Sequence, residues 1–168
     1  VPSSSVLMNH VPWQEIYRGI PCKIHGDLQF DNIIFDKKNF SLIDWREDFG
    51  GNLNYGDQYY DLAKMYGGIE MNYDIIKKGK FSYVEKNNNI FYKYESRKVL
   101  MNEIKLQYKK FLLHNNFSLK KIEILKCLIY INMSPLHEYP FDKLLFAHGK
   151  SQLFQTLKKY EYISKQID

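Results

Sequence analysis

The chain has few of the residues that cross-link small secreted domains or build metal clusters. It contains 2 cysteines, Cys22 and Cys127, far apart in the sequence, so neither a disulfide framework nor a zinc cluster is indicated. No apolar run reaches the length of a membrane-spanning helix, and no signal-peptide pattern opens the sequence. These absences predict a cytoplasmic protein without a membrane partner.

Internal repeats, linkers and low-complexity tracts are also missing, whereas apolar residues are plentiful. Of the 168 residues, 45% are hydrophobic, and they include 14 Tyr and 11 Phe. A chain of this length and composition can bury a core, so we expect one globular domain.

The net charge of +5 is distributed unevenly along the chain. Residues 1–62 carry 5 Lys and Arg against 9 Asp and Glu, whereas residues 63–168 carry 19 against 10. The acidic part fits a cation-binding site. The basic part invites comparison with nucleic-acid-binding proteins, but its lysines are scattered through amphipathic stretches and no nucleic-acid-binding motif accompanies them. We therefore interpret these lysines as a solvated helix surface and expect no nucleic-acid partner.

Residues 24–45, IHGDLQFDNIIFDKKNFSLIDW, hold the most informative pattern in the sequence. Two short apolar runs flank a polar turn at residues 36–39, which predicts a β-hairpin. Asp27 and Asn32 precede the first run, and Asp44 closes the second. Two carboxylates and a carboxamide are thus predicted to gather at the ends of short strands.

The same stretch resembles the catalytic loop of kinases. The protein-kinase signature H-R-D-L-x-x-x-N, followed by D-F-G, is matched here by HGDLQFDN at residues 25–32, with Gly in place of Arg. The HGD form and the apolar strand that ends in Asp44-Trp45 resemble the aminoglycoside phosphotransferase and choline kinase family of small-molecule kinases. The resemblance covers roughly residues 20–68 and ends in GDQYYDLAK at residues 56–64. Several linked elements at the right spacing make this signal specific.

The resemblance implies ATP- and Mg²⁺-dependent transfer of the γ-phosphoryl group to a hydroxyl of a small molecule, such as a sugar, an amino alcohol or an aminoglycoside-like compound. Asp27 would orient and deprotonate the acceptor hydroxyl, and Asn32 and Asp44 would hold Mg²⁺. His25 and Asp61 would support the catalytic loop structurally. The implied fold is α+β, a protein-kinase-like C-terminal lobe that is mainly helical, with short β-hairpins carrying the catalytic loop.

Members of this family carry an N-terminal lobe, with a glycine-rich loop and a strand lysine, before the HGD motif. No such elements fit into residues 1–24, so we expect the whole chain, residues 1–168, to be a C-terminal lobe. A nucleotide-binding lobe would then be a partner, supplied in cis or in trans. The alternative hypothesis is a non-catalytic, kinase-like module that binds a ligand or a partner and lacks the nucleotide lobe.

A literal Asp48-Phe49-Gly50 follows the motif, so Asp48 competes with Asp44 for the metal. Asp44 directly follows an apolar strand, whereas Asp48 follows charged loop residues. A ligand at the end of a rigid strand is better pre-organised than one in a loop. We therefore assign the metal to Asp44 and leave Asp48 as a candidate acceptor contact.

Aromatic residues near the motif offer a way to hold a cationic acceptor. The candidates for an aromatic box that binds such an acceptor by cation–π attraction are Trp45, Tyr55, Tyr59 and Tyr60, although core packing is the safer interpretation of these rings. Tyr59 and Tyr60 are adjacent on a presumed helix and point different ways, so at most one of them lines a box. The acidic first third of the chain faintly favours the same class of acceptor, but its carboxylates are also needed for the metal.

The remaining sequence predicts mostly helices, with caps at Asp57 and Ser118. From their periodicity and end signals, the predicted helical segments are 12–18, 57–68, 70–78, 96–115, 118–135 and 140–160. A second hairpin is predicted at 80–94, with Asn87-Asn88-Asn89 at its turn.

Overall fold

The structure, a computed structural model, describes residues 1–87, 89–96 and 98–164. It is α+β, with about half of the residues in helices and with small antiparallel sheets, which is compatible with a kinase-like fold. The helices are α1 (Ser4–His10), α2 (Trp13–Ile16), α3 (Gln58–Glu70), α4 (Tyr73–Lys77), α5 (Lys98–His114), α6 (Leu119–Met133) and α7 (Phe141–Lys159). The strands are β1 (Pro21–Cys22), β2 (Ile33–Phe35), β3 (Phe40–Leu42), β4 (Gly56–Asp57), β5 (Phe81–Lys86) and β6 (Asn89–Tyr94). The paired strands are β1 with β4, β2 with β3, and β5 with β6.

Helix α6 is at the centre of the core because it packs against both α3 and α7. Its apolar side chains contribute to three clusters, which include α1 and α7 in the first, α3 and α5 in the second, and the β5–β6 hairpin with α7 in the third. The α6–α7 contact is close. A Cβ at Gly149 would lie 2.9 Å from the Tyr130 Cβ, so a larger residue there would force the two helices apart.

Two predicted helix caps are confirmed. The Asp57 carboxylate accepts a hydrogen bond from the Tyr59 backbone N–H (3.1 Å) at the start of α3. The Ser118 hydroxyl accepts one from the Lys121 N–H (3.3 Å) at the start of α6. Each cap satisfies a backbone donor that has no partner within its own helix.

Both predicted hairpins are present. In the first, β2 pairs with β3 from Ile33–Leu42 to Phe35–Phe40, and the Asp36 carboxylate accepts backbone hydrogen bonds from Lys38 and Asn39. In the second, β5 pairs with β6 from Phe81–Tyr94 to Lys86–Asn89, so its aromatic residues pack towards α7. Asn88 of the predicted turn lies outside the described residues.

The structure differs from the predicted elements at α1, at the end of α3 and in the short β1–β4 pair, which was not predicted. The first helix, α1, was not predicted, since its apolar stripe is short, yet Ser3 caps it and Leu7 is fully buried against α7. Helix α3 continues past Gly67 and Gly68 to Glu70. Gly67 stays helical because it lies under Tyr130, whose hydroxyl donates to the Gly67 carbonyl (2.7 Å) and would be 3.3 Å from an added Cβ.

Several lysines of the basic part do not lie on a solvated surface, so that interpretation is wrong for them. Lys64, Lys121 and Lys126 are buried. Lys126 is joined by Lys105 on the carboxylate of Glu70, a three-residue ion cluster. Within the described part of the chain, no helix combines the length and apolar character needed to cross a membrane.

Candidate active site

The loop that carries the HGD motif is fastened to α3 by Asp61. The two carboxylate oxygens of Asp61 accept hydrogen bonds from the backbone N–H groups of His25 (2.7 Å) and Gly26 (2.9 Å). Gly26 has φ +78°, and a Cβ there would meet the Cβ of Arg46 at 2.6 Å. A larger residue at position 26 would therefore be disfavoured both by the backbone conformation and by a clash with Arg46.

His25 ties the same loop to the segment after β3. Its Nδ1 accepts a hydrogen bond from the Asp27 N–H (3.2 Å), so the ring proton is on Nε2, which donates to the Ile43 carbonyl (2.8 Å). The ring also packs against Trp45, with 4.9 Å between centroids. Since both nitrogens are engaged with the backbone, this neutral tautomer leaves no nitrogen to take a proton from a substrate.

Asp27 is buried, and its carboxylate contacts two cationic side chains and one carboxamide. The Lys64 ammonium lies 2.6 Å from Oδ1 as an ion pair. The Asn32 amide donates to Oδ2 (3.2 Å), and the Arg46 guanidinium is 4.0 Å from the same oxygen. Lys64 is the one side chain of the described residues that contacts Oδ1. A carboxylate oxygen has two lone pairs, so Oδ1 can also accept a hydrogen bond from an acceptor hydroxyl.

Asn32 is buried beside Asp27 and is oriented by it. Its Nδ2 donates both to the Asp27 carbonyl (2.9 Å) and to the Asp27 carboxylate (3.2 Å). With both amide hydrogens used in this way, the Asn32 side-chain oxygen is left as an acceptor. A carboxamide oxygen is a suitable ligand for Mg²⁺.

Asp44 lies in an exposed turn just after β3 and has φ +59°. Two backbone hydrogen bonds hold this turn beside the catalytic loop, from Ile43 N–H to the Asn32 carbonyl (3.1 Å) and from Arg46 N–H to the His25 carbonyl (2.9 Å). In the described residues no group of three His, Cys, Asp or Glu side chains could hold a metal ion. One carboxylate and one carboxamide still fit Mg²⁺, which commonly completes its octahedron with water and substrate phosphates.

The three candidate acceptor contacts do not line the space beside Asp27. Asp48 accepts a hydrogen bond from the Gly51 N–H (3.0 Å), which closes an exposed turn. Trp45 donates through Nε1 to the Leu42 carbonyl (3.1 Å). Tyr59 is buried, and its hydroxyl accepts from the Ser118 N–H (3.1 Å). Its neighbour Tyr60 lines the cavity instead, so no aromatic box of Trp45 and Tyr59 is formed there.

A cavity of about 530 Å³ opens next to Asp27. Its lining includes Gln29, Tyr60 and Lys64 from the HGD loop and α3, and Met133 and His137 from the end of α6 and the following turn. Burial lowers the pKa of His137 and raises that of Tyr60. The volume is in the range of a small-molecule site.

The predictions missed two of the polar groups at this cavity, Lys64 and His137. Lys64 had a usable signal, since it is three residues after Asp61 and therefore on the same face of α3. If Asp61 binds the catalytic loop, Lys64 must point towards it as well. His137 had no such signal, because only the chain's path after α6 brings it to the cavity.

Comparison with known proteins agrees with this geometry. Residues 6–80, somewhat under half of the chain, match the phosphotransferase enzyme family (APH). This segment is similar to that family. The resemblance to aminoglycoside phosphotransferases and choline kinases is therefore confirmed. No curated protein and no solved structure matched the chain.

The family segment and the cavity overlap only in part. Asp27, Asn32, Asp44 and Asp61 all lie within residues 6–80 of the phosphotransferase match. The cavity wall that includes Met133 and His137 lies outside it. The family match thus covers the phosphotransferase motif but not the part of the cavity that faces it.

Proposed function

We propose that the chain is the C-terminal lobe of a small-molecule kinase, which transfers the γ-phosphoryl group of ATP to a hydroxyl of a small molecule. The family match over residues 6–80 supports phosphoryl transfer as the reaction class. The observation that carries the proposal is the Asp27 carboxylate, which is buried beside a cavity and is held there by Lys64 and Asn32.

In this proposal Asp27 orients the acceptor hydroxyl and takes its proton. Lys64 and Asn32 contact the carboxylate and fix its direction, while Asp61 holds the backbone that presents it. The gain in rate comes mainly from positioning and from charge stabilisation, because phosphoryl transfer requires little covalent chemistry from the protein.

Asn32 and Asp44 would hold Mg²⁺ in the same proposal. The donor set fits, since it offers one carboxamide oxygen and one carboxylate beside the catalytic loop. When bound, ATP would supply the phosphoryl group and Mg²⁺ would neutralise its charge. The exposed Asp44 remains open to such ligands, whereas the side chain of Asp48 is used in its own turn.

The direct test is Asp27→Asn. This variant keeps the shape of the side chain but cannot accept the proton, so ATP-dependent phosphorylation should fall by at least about 100-fold. The rate is measured as ADP release with a panel of hydroxylated acceptors, in the presence of the nucleotide-binding lobe. The circular dichroism spectrum should remain that of the folded chain.

The control is Asp36→Asn, which changes an exposed carboxylate in the turn of the first hairpin. It should leave the rate unchanged. If Asp27→Asn turns over ATP as fast as the unaltered chain in the presence of an accepted substrate, Asp27 is not the base and the proposal fails.

A nucleotide-binding lobe is the partner that this proposal requires. The β2–β3 hairpin supports it, because most of its apolar side chains are exposed, with Phe40 at 71% and Ile34 at 50%. Exposed apolar surface of this kind commonly marks a face that another domain or protein covers. The lobe would then complete the phosphate site from the side opposite to the cavity wall formed by α6.

A further inference from the structure

The charges that line the cavity beside Asp27 bear on the class of acceptor. Five charged residues line it among those described, the carboxylates of Asp27 and Asp31 and the cationic side chains of Arg46, Lys64 and Lys77. The described lining therefore has one more positive than negative charge. A cavity built for a cationic aminoglycoside or choline would be expected to have the opposite excess.

Both carboxylates already have a lysine as counter-ion. Lys64 lies 2.6 Å from Asp27 and is itself buried. Lys77 lies 2.8 Å from Asp31, where its ammonium donates a hydrogen bond. An ammonium group on the acceptor would have to compete with these lysines, and it would enter a cavity that already contains their charges. Like charges at short distance oppose binding in a partly desolvated site.

Two nitrogen groups at the cavity are, in contrast, poorly satisfied by the described residues. The Arg46 guanidinium is 62% exposed, and its contact with Asp27 is 4.0 Å, too long for a hydrogen bond. The His137 Nε2 is buried and has no hydrogen-bond partner in the described part of the chain. A guanidinium presents its N–H groups in a fork that matches a carboxylate or a phosphate.

We infer that the acceptor is a hydroxyl compound that also carries an anionic group, either a carboxylate or a phosphate. The inference rests on the proposed function. The hydroxyl binds at Asp27, and the anionic group binds towards Arg46 and Lys77, with His137 as a further polar contact. This assignment replaces the cationic acceptor that the acidic first third of the sequence favoured.

The test compares four small probes that share a hydroxyl and differ in charge. D-glycerate and glycerol 3-phosphate carry an anion, glycerol is neutral, and choline is cationic. Binding to the 168-residue chain is measured by calorimetry and by shifts of its amide NMR signals at low ionic strength. At least one anionic probe should bind about tenfold or more tightly than glycerol and choline, and comparing the two anions tells whether carboxylate or phosphate is preferred.

Matched variants locate the binding. Arg46→Gln and Lys77→Gln each remove one positive charge at the cavity, and Arg46→Gln should weaken the preferred anion by about tenfold. Lys80→Gln removes the same charge from a surface pair with Glu95 that does not line the cavity, and it should bind as the unaltered chain does. Both cavity positions are exposed, so these substitutions are expected to leave the fold intact.

The inference fails if choline binds more tightly than both anionic probes, or if glycerol binds as tightly as they do. It also fails if Lys80→Gln weakens anion binding as much as Arg46→Gln does. Phosphoryl transfer to a cationic acceptor would likewise refute the charge preference and leave the kinase proposal in place. Anion binding at Arg46 without any phosphoryl transfer, when the nucleotide-binding lobe is present, would support the charge preference and refute the kinase proposal.

Discussion

Lys64 and Asp27 form the contact on which the candidate site most depends at the scale of single residues. Both side chains are buried, and the ammonium lies 2.6 Å from the carboxylate. The second contact of Lys64 is the sulfur of Met133 at 3.2 Å, a weak acceptor. Each charge therefore compensates the other, and removing either one alone should lower the stability of the fold.

Lys64→Met tests this dependence. The substitution leaves the Asp27 carboxylate without its nearest positive charge, so the free energy of unfolding should fall by about 3 kcal/mol. Urea denaturation at neutral pH measures it. The double variant Lys64→Met with Asp27→Asn should regain part of the loss, and Lys80→Met, at an exposed ion pair, should change stability by less than about 1 kcal/mol. A single Lys64→Met variant as stable as the unaltered chain would contradict the account.

At the scale of elements, Glu123 connects α6 to its neighbours. Its carboxylate accepts hydrogen bonds from Lys159 (2.6 Å) and Tyr160 (2.9 Å) at the end of α7 and pairs with Lys109 of α5 at 3.2 Å. The hydroxyl of Tyr66, on α3, also donates to it (3.3 Å). Burial by itself would raise the pKa of Glu123, but the hydrogen bonds and positive charges outweigh it and lower the pKa to about 2.

This lowered pKa predicts a pH dependence of stability. A carboxyl group whose pKa is lower in the folded state stabilises the fold above its unfolded pKa, near 4.5, and the gain is lost as pH falls towards 2. Glu123→Gln should therefore be clearly less stable than the unaltered chain at pH 7 and differ little from it at pH 2. Thermal unfolding across this pH range measures the difference. An equal loss at both pH values would show that the carboxylate charge is not what stabilises the helices.

The sequence predicted most elements but only part of the site, for reasons that differ between residues. The caps at Asp57 and Ser118 and both hairpins could be predicted because turns and helix starts depend on local hydrogen bonds. Gly67 was wrongly taken as the end of α3, because its contact with Tyr130 is long-range and leaves no local signal. His137 could not be found, since its approach to the cavity depends on how α6 packs.

The structure brings some of the predicted site residues together and separates others. The structure brings Asp27 and Asn32 into contact and fastens the catalytic loop through Asp61. It separates Tyr59 from the cavity because α3 turns that ring towards α6, where Phe117 packs edge-on against it. Adjacent residues on a helix differ in direction by about 100°, and the sequence alone did not tell which of Tyr59 and Tyr60 faces the substrate.

At the scale of the whole molecule, the β2–β3 hairpin presents an apolar surface to solvent. Phe35 and Phe40 stack on each other at 4.7 Å and are both more than half exposed. Trp45, which follows the hairpin, is 53% exposed. A nucleotide-binding lobe, on the same polypeptide or a separate one, is the proposed cover for this surface.

Hydrogen exchange tests whether a nucleotide-binding lobe packs against the β2–β3 hairpin. Adding the nucleotide-binding lobe should slow exchange of the β2–β3 amides by at least about tenfold, since packing against a partner suppresses local opening. Phe40→Lys should abolish this slowing without unfolding the chain, because its ring is 71% exposed. Val99→Lys, on an exposed part of α5, is the matched control, and exchange should still be slowed in this variant. Unchanged exchange in the hairpin would exclude it as the docking face.

The most direct test of the central claim is a calorimetric titration of the 168-residue chain with ATP, with and without Mg²⁺, for the unaltered chain, Asp44→Ala and Asp48→Ala. We predict Mg²⁺-dependent binding that is lost in Asp44→Ala and kept in Asp48→Ala, because Asp44 is the proposed metal ligand and Asp48 only closes a turn. Binding that survives in Asp44→Ala, or no Mg²⁺-dependent binding by the unaltered chain, would contradict a working metal–phosphate site in this lobe.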